Sequence, residues 1–366
     1  MSIACKKAPK HPETGTPPVI VVPKDTTKKD TTKVIVQPKR LKIDSIRKDL
    51  SGRSIIRVMS DSVWRDSTGV TFFVELKDYP DISTIVLGPV ADDSQVYPGA
   101  LIKGKSLADF SFKALTGYAL APVDVLPSDW SFDLVDNMPI SKKSMEDYIK
   151  KQMTRGGTRK VHAMAGTIGE PFENYAEISL NQRHSWDFSN LLNVKPGENR
   201  RIKKKTGLYS SATLRIFGIT TYPKEGKFFA PEVNPASIPD EPLVVRDVTY
   251  GRTATIAIES DAPFAEIKSA FNAAEEKSLN ASHRSLLQNA TITIFVRGFS
   301  TGDTNHLKSL RGAEQVEKYF AMIAAANTVS VNDYGAPVEL MTSNATSTDN
   351  SFHRYQYKYR LDYPIK

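Results

Sequence analysis

The chain has 366 residues, 40% hydrophobic and 25% charged, the proportions of a globular protein large enough for two or more domains with real cores. No stretch approaches the run of about 20 apolar residues that a membrane-spanning helix needs, so membrane contact would have to come from an anchor, an amphipathic surface or a barrel. The net charge of +8 belongs to residues 1–48, which hold 12 of the 49 Lys and Arg and 4 of the 41 Asp and Glu. The remainder is neutral, and no nucleic-acid partner is expected.

Residues 1–48 read as a disordered tether. Pro9, Pro12, Pro17, Pro18, Pro23 and Pro38 recur, KDTTKKDTTK is a near-repeat, and VIVVPK is echoed as VIVQPK; such composition cannot bury a core and acts as a spacer. The one cysteine, Cys5, stands in Ser-Ile-Ala-Cys-Lys-Lys and leaves no internal disulfide. The small residues before it resemble the end of a bacterial lipoprotein signal with lipidation at Cys5, although the apolar stretch that should precede them is missing. A lipidated Cys5 on a flexible tether would hold a globular body away from a surface.

Further along, Met145 to Met153 is a helix candidate, and two strand-spacer-strand units follow. Thr158 to Ala165 and Thr213 to Thr221 enclose one spacer; Thr253 to Glu259 and Thr291 to Arg297 enclose the other. Hairpin loops are about 2 to 5 residues long, so spacers several times that length must carry structure of their own. Ala254, Ile256 and Ile258 oppose Thr253, Thr255 and Glu259, and Ile292, Ile294 and Val296 oppose Thr291, Thr293 and Arg297, the period of strands with one buried face. Ala212, Leu214 and Ile216 likewise oppose Thr213 and Arg215, but Phe217 and Ile219 break the rule, so that strand is expected to be covered on both faces for part of its length.

The first spacer supports two periods. From Ile178 to Ser189 the even positions are Ile, Leu, Gln, His, Trp and Phe and the odd ones Ser, Asn, Arg, Ser, Asp and Ser; yet Leu180, His184, Phe188, Leu191 and Leu192 also fall on one helix face. Helices packed on a sheet, or strands of a membrane hairpin of about 9 to 11 residues each, both satisfy it. In the second spacer Phe264, Ile267, Phe271 and Ala274 share a helix face, and Leu279 to Gln288 reads as a second helix.

No catalytic pattern accompanies these units. His11, His162, His184, His283, His306 and His353 are scattered, no Gly-x-Ser-x-Gly, phosphate-cradling loop or His-Glu-x-x-His occurs, and Asp92-Asp93 and Asp133 to Asp136 read as solvated loops. Arg200, Arg201, Lys203, Lys204 and Lys205 after Pro196-Gly197 likewise read as a solvated loop. Neither an enzyme nor a cofactor or metal site is expected.

Val96-Tyr97-Pro98-Gly99-Ala100-Leu101 and Val248-Thr249-Tyr250-Gly251-Arg252-Thr253 resemble the most recognisable segments of the cholesterol-dependent cytolysins, the thiol-activated pore-forming toxins, and the order of the elements around them agrees from about Phe72 onward. The resemblance implies an α+β, elongated multidomain fold of the MACPF/CDC-like kind: a bent four-stranded antiparallel sheet flanked by helical bundles, plus a strand-rich stalk. Its expected parts are a tether at 1–48, a β stalk from 49–88 and 335–366, an α/β scaffold from 89–157 and 223–252, and a central sheet from 158–222 and 253–334. The inserts, about 173–206 and 260–290, would unfurl on oligomerisation into two amphipathic membrane hairpins per subunit.

By the same resemblance Ile178, Leu180, Trp186, Phe188, Leu191, Phe264, Ile267 and Phe271 would meet lipid, Arg183, Ser185 and Asp187 would face the lumen, and Gly298 would mark the sheet bend. Gln182 and His184 would lie on the lipid side, against a strict alternation, and the family's inter-strand aromatic contact maps near Gly218 and Ile292, neither of them aromatic. The chain stops at Lys366, just past Tyr355-Gln356-Tyr357-Lys358-Tyr359, which resembles the strand leading to the family's C-terminal domain. A short form without that domain, without direct cholesterol recognition and paired with a longer cytolysin-like companion is expected, exported from a bacterium as a cell-surface lipoprotein or secreted protein. The competing reading is a surface-anchored, non-lytic binding lipoprotein on the same scaffold.

Overall fold

The computed structural model describes residues 32–53, 56–77, 83–89, 94–107, 111–128, 131–156, 159–161, 163–182, 186, 188–192, 200–234, 237–238, 240–347 and 351–365. Cys5 lies outside them, as do Arg183, His184, Ser185 and Asp187. The chain divides into two compact units, Met1–Lys42 and Ile43–Lys366, and the sheets belong to the second. Among the described residues no helix is long and apolar enough to cross a membrane.

The elements run α1 (Thr32–Gly52), β1 (Ile56–Val63), β2 (Gly69–Leu76), β3 (Thr84–Val86), β4 (Leu101–Lys103), β5 (Val123–Pro127), β6 (Val135–Met138) and α2 (Lys142–Gly156). Next come β7 (Arg159–Lys160), β8 (Ala163–Phe172), α3 (Tyr175–Asn181), β9 (Thr206–Pro223), β10 (Pro242–Ser260), α4 (Phe264–Glu275) and α5 (Ala281–Gln288). The chain closes with β11 (Thr291–Arg297), α6 (Thr301–Ser309), α7 (Gly312–Ala325), β12 (Thr328–Val329), β13 (Ala336–Asn344) and β14 (Tyr359–Pro364).

Composition predicts a tether to residue 48, but its end is helical. Ile43, Ile46 and Leu50 recur at helical spacing and enter a core with Ile56, Val70, Phe72, Val74 and Leu361, a stripe that the surrounding Lys and Pro conceal. The strands of that core, β1, β2 and β14, form an antiparallel sheet in the order β1-β2-β14 that joins residues from both chain ends. In β2, Val70, Phe72 and Val74 point into the core while Phe73 points out, as the two-residue period requires.

The second sheet is organised by two long strands, β9 and β10, paired antiparallel from Asp247↔Thr220 to Ser260↔Thr206. Along one edge β10 passes from β13 to β11; along the other it passes from β4 to β9. The expected domain boundaries are corrected in part. β3 and β13, assigned by sequence to the stalk, pair with each other in this sheet, and β13 pairs with β10. The border at 222/223 falls at the end of β9, where Pro223 closes the strand, but that at 252/253 falls inside β10, which continues through the register shift at Gly251. Scaffold and central sheet therefore share their strands.

Candidate functional site

The strand read at Thr158 to Ala165 is corrected: Arg159–Lys160 pair with β12, and the strand beside β9 is β8, starting at Ala163. β8 pairs with β9, β9 with β10 and β10 with β11, all antiparallel. The chain between β8 and β9 is the first insert, and that between β10 and β11 the second. Each insert thus replaces the turn of a hairpin already present in the sheet.

Pairing register assigns the faces. Leu208 opposes Ile258 and Ile258 opposes Ile292, so these share one face with Ala254, Ile256 and Ile294. That face is covered by Ile267, Ala270, Phe271 and Ala274 of α4, Leu287 of α5 and Val316, Tyr319 and Met322 of α7. The second insert is helical as its sequence predicts, with Phe264 packed at the margin of the same core.

On the opposite face, Tyr209, Ala257 and Phe295, with Phe172 at the end of β8, pack against Tyr175, Ile178, Trp186 and Phe188 of the first insert, with Leu191 at the margin. Trp186 meets Phe295 edge to face with centroids 4.8 Å apart. The first insert is helical over α3 and makes a 3-10 turn at Phe188–Leu192. Leu180 differs from its expected neighbours: it packs with Ala176 on the other side of α3, into the core of β1, β2 and β14.

The face beneath the first insert carries hydroxyls. Thr253, Thr255 and Ser211 are all buried there, and Ser211 and Thr255 hydrogen-bond at 3.0 Å. Sequence alternation reads such positions as a solvent face. That reading is corrected: Ser211, Thr253 and Thr255 are buried beside the Tyr209, Ala257 and Phe295 patch that the insert covers, and Ser211 and Thr255 satisfy one another.

At the open end of the four strands sits Glu259, 4% exposed. It accepts a hydrogen bond from the Tyr175 hydroxyl at 2.6 Å and from the backbone N–H of Lys203 at 2.6 Å and Lys204 at 3.0 Å. Burial, reinforced by this carboxylate, pushes the Tyr175 phenol far above its ordinary range. The Lys204 ammonium donates to the Asn289 carbonyl at 2.7 Å and to Asp261 at 3.3 Å, the two ends of the second insert. Arg201 pairs with Glu173 at 2.5 Å and lies over the Tyr363 ring. Lys204 therefore braces the two inserts, while the side chains of Lys203 and Lys205 stay exposed, as a solvated loop requires. The base of the first insert is tied further by Asn174, which caps α3 and donates to the Asp362 carbonyl at 3.1 Å, and by Glu177, which pairs with Arg53.

At the opposite end of the four strands, β10 exchanges partners at Gly251, and three glycines meet. Gly298 (φ +80°) and Gly335 (φ +83°) each leave only 2.2 Å between a notional Cβ and the Gly251 carbonyl oxygen, while Gly251 lies equally close to Leu214 of β9. Three backbones cross where no side chain fits. Next to the crossing, buried Arg252 donates to the Ala326 carbonyl at 2.9 Å and pairs with Asp333 at 2.7 Å, while Tyr250 stacks on Phe217 at 4.9 Å. Gly298, Tyr250, Gly251 and Arg252 are thus brought together. Tyr97, Pro98 and Gly99 lie elsewhere, where Gly99 (φ +89°) donates to the Val245 carbonyl of β10 at 2.7 Å.

No family model and no curated protein matches the sequence. Solved structures do match: listeriolysin O superposes with a TM-score of 0.55 over 94% of this chain and 75% of its own, at 15% identity. A non-hemolytic pneumolysin from Streptococcus pneumoniae strain ST306 gives 0.55 over 85% and 67%, at 13% identity. The chain has the cholesterol-dependent cytolysin fold. A disulfide-locked intermedilysin solved with human CD59 shares it, with a TM-score of 0.52 over 84% of this chain and 68% of its own at 13% identity. At such identities the cytolysin likeness resides in the arrangement of strands and inserts, not in retained side chains. Among the described residues of this cytolysin-like chain, no group of three or more His, Cys, Asp or Glu is placed to hold a metal ion.

Sequence reasoning missed Glu259, Lys204, Tyr175 and Gly335. Glu259 was hidden by its place on the polar side of an alternating strand, and Lys204 by the basic run around it. For Gly335 no sequence signal separates it from an ordinary turn glycine.

Proposed function

We propose that the protein is a subunit of an oligomeric β-barrel pore, acting without catalysis or cofactor. Subunits join through sheet edges, and each contributes two amphipathic hairpins to a target membrane. The observation that carries this reading is that each insert bridges two adjacent antiparallel strands and packs as short helices on the sheet. Straightening an insert therefore lengthens an existing hairpin and breaks no strand pairing. Segments 173–206 and 260–290 each accommodate two membrane strands of about 9 to 11 residues with a turn. Trp186, Phe188, Ile267 and Phe271, now buried, would exchange one dry environment for another, so lipid offsets the roughly 1.5 to 3 kcal/mol that each loses on undocking.

β8 and β11 each pair with a strand on one side only among the described residues, and such edges are templates for a further strand. They supply the contact between subunits, or with a longer cytolysin-like companion that brings the complex to the membrane. The protein is read as exported, at the bacterial surface through Cys5 or secreted, and membrane-associated once oligomeric.

Dye release from liposomes, with and without a longer cytolysin-like companion, tests this directly: leakage is expected with the companion, and silence with every lipid and companion tried would sink it. A second measurement asks whether the first insert moves. Gln182 donates to the Thr167 hydroxyl at 2.6 Å, whereas 15 extended residues would separate the two by roughly 50 Å. In a Cys5→Ser background, Thr167→Cys and Gln182→Cys joined by a short cleavable thiol crosslinker should block leakage until the linker is cut. Leakage through an intact crosslink would mean that this insert stays folded.

One finding favours the binding-lipoprotein reading. The matching pneumolysin described as non-hemolytic has the same fold, so the scaffold is compatible with the absence of lysis. Stable membrane or surface binding without dye release would select that reading.

A further inference from the structure

The ladder between β9 and β10 ends at Ser260↔Thr206. The next rungs would pair Lys205 with Asp261 and Lys204 with Ala262, joining the trailing end of the first insert to the leading end of the second. These rungs are not formed. The chain bends away at 203–205, and the amide hydrogens of Lys203 and Lys204 go to the Glu259 carboxylate. A side-chain acceptor two residues before the first missing rung takes the donors that a longer strand would present to the neighbours on its two sides. The same carboxylate holds the Tyr175 hydroxyl at the start of the first insert, and the Lys204 side chain holds both ends of the second.

We infer that Glu259 and Lys204 form a latch that stops the β9–β10 ladder and couples the two inserts, so that neither undocks while the other stays in place. Extending β9 beyond Thr206 withdraws the Lys203 and Lys204 amides from Glu259 and carries the Lys204 ammonium away from Asp261 and Asn289. Extending β10 beyond Ser260 displaces Asp261 and requires Lys205 and Lys204 to straighten as its partners. Hydrogen bonds to charged groups are the strong ones, and those of the latch are shared between the inserts. The consequence for pore assembly rests on the proposed function; the latch belongs to the protein in solution and is tested there.

Hydrogen exchange of the full chain, without membrane, separates coupling from local support. Lys204→Met removes the bonds to Asp261 and Asn289 but keeps the Lys204 amide and every contact of α3. Glu259→Gln weakens the ties of the first insert and touches no residue of α4 or α5. With coupling, each variant exchanges at least about tenfold faster in both α3 and α4–α5, the size expected for loss of a charge-assisted bond, while Lys205→Met, altering an exposed neighbour, changes neither. Acceleration confined to α4–α5 in Lys204→Met, or to α3 in Glu259→Gln, overturns the inference. If Glu259→Gln does not fold, α3 in Lys204→Met decides alone: faster exchange supports the latch and unchanged exchange overturns it. Dye release is read separately, so a latch without leakage would count against the pore and not against the coupling.

Discussion

At the scale of residues, the crossing of Gly251, Gly298 and Gly335 is the most demanding point in the sheet. Gly335→Ala would force a Cβ onto the Gly251 carbonyl at a φ that other residues avoid. Strain of about 1 to 3 kcal/mol and overpacking of similar size lead us to expect a loss of roughly 2 to 5 kcal/mol, read as a lower midpoint in urea. A midpoint unchanged within error would show that the strand crossing relaxes freely. Gly298 was singled out in the sequence because a motif resemblance put a bend after the last strand, and it meets the Gly251 carbonyl at positive φ. Its counterpart Gly335 is 37 residues further on and follows Tyr334 in an unremarkable turn, so nothing local announces that it meets the same carbonyl. Arg252 carries a similar lesson: its place in a motif marked it, but only the fold shows that it grips the Ala326–Asp333 segment.

Among elements, legibility followed the number of buried faces. β11 and the upper half of β10 were bounded closely because their apolar positions alternate, and α4 because Phe264, Ile267, Phe271 and Ala274 repeat at helical spacing. β9 was read only from Thr213; its first residues, Gly207 to Ala212, are buried on both faces, which erases the two-residue signal. The first insert held two periods at once, and the structure fills it with a short helix and a 3-10 turn whose side chains serve two different cores. The second insert is tied to one core, so Phe271→Ala, which empties the centre of its contact with Phe320 at 4.8 Å, is expected to cost about 3 to 5 kcal/mol. Urea unfolding monitored by circular dichroism checks this. A cost below about 1 kcal/mol would mean that α4 is only loosely seated.

For the Ile43–Lys366 unit as a whole, the proposed function makes the edges of the four-stranded region, which carry no further strand among the described residues, the place where copies meet. β8 leaves Met164 and Ile168 65% and 53% exposed on an edge strand, where proteins ordinarily guard against pairing with charge. Adding that charge, as Met164→Lys with Ile168→Lys, should leave the monomer folded, because neither side chain is in a core, while reducing membrane-bound oligomers and dye release by tenfold or more. Undiminished oligomers would move the subunit contact elsewhere. The scaffold itself was legible from two hexapeptide motifs and the order of elements, whereas the division into separate domains was not, since β10 runs through the border at 252/253 and β3 and β13 join the same sheet.

The unlike faces of the sheet have a consequence for how water reaches it. Lifting the first insert uncovers Tyr209, Ala257 and Phe295 and frees Glu259, with the buried hydroxyls of Ser211 and Thr255 beside them. Lifting the second uncovers Ile256, Ile258 and Leu208, but Val316, Tyr319 and Met322 of α7 stay on that side. In the proposed pore, the side of the sheet that carries the hydroxyls and the carboxylate is the one that offers water hydrogen-bond partners.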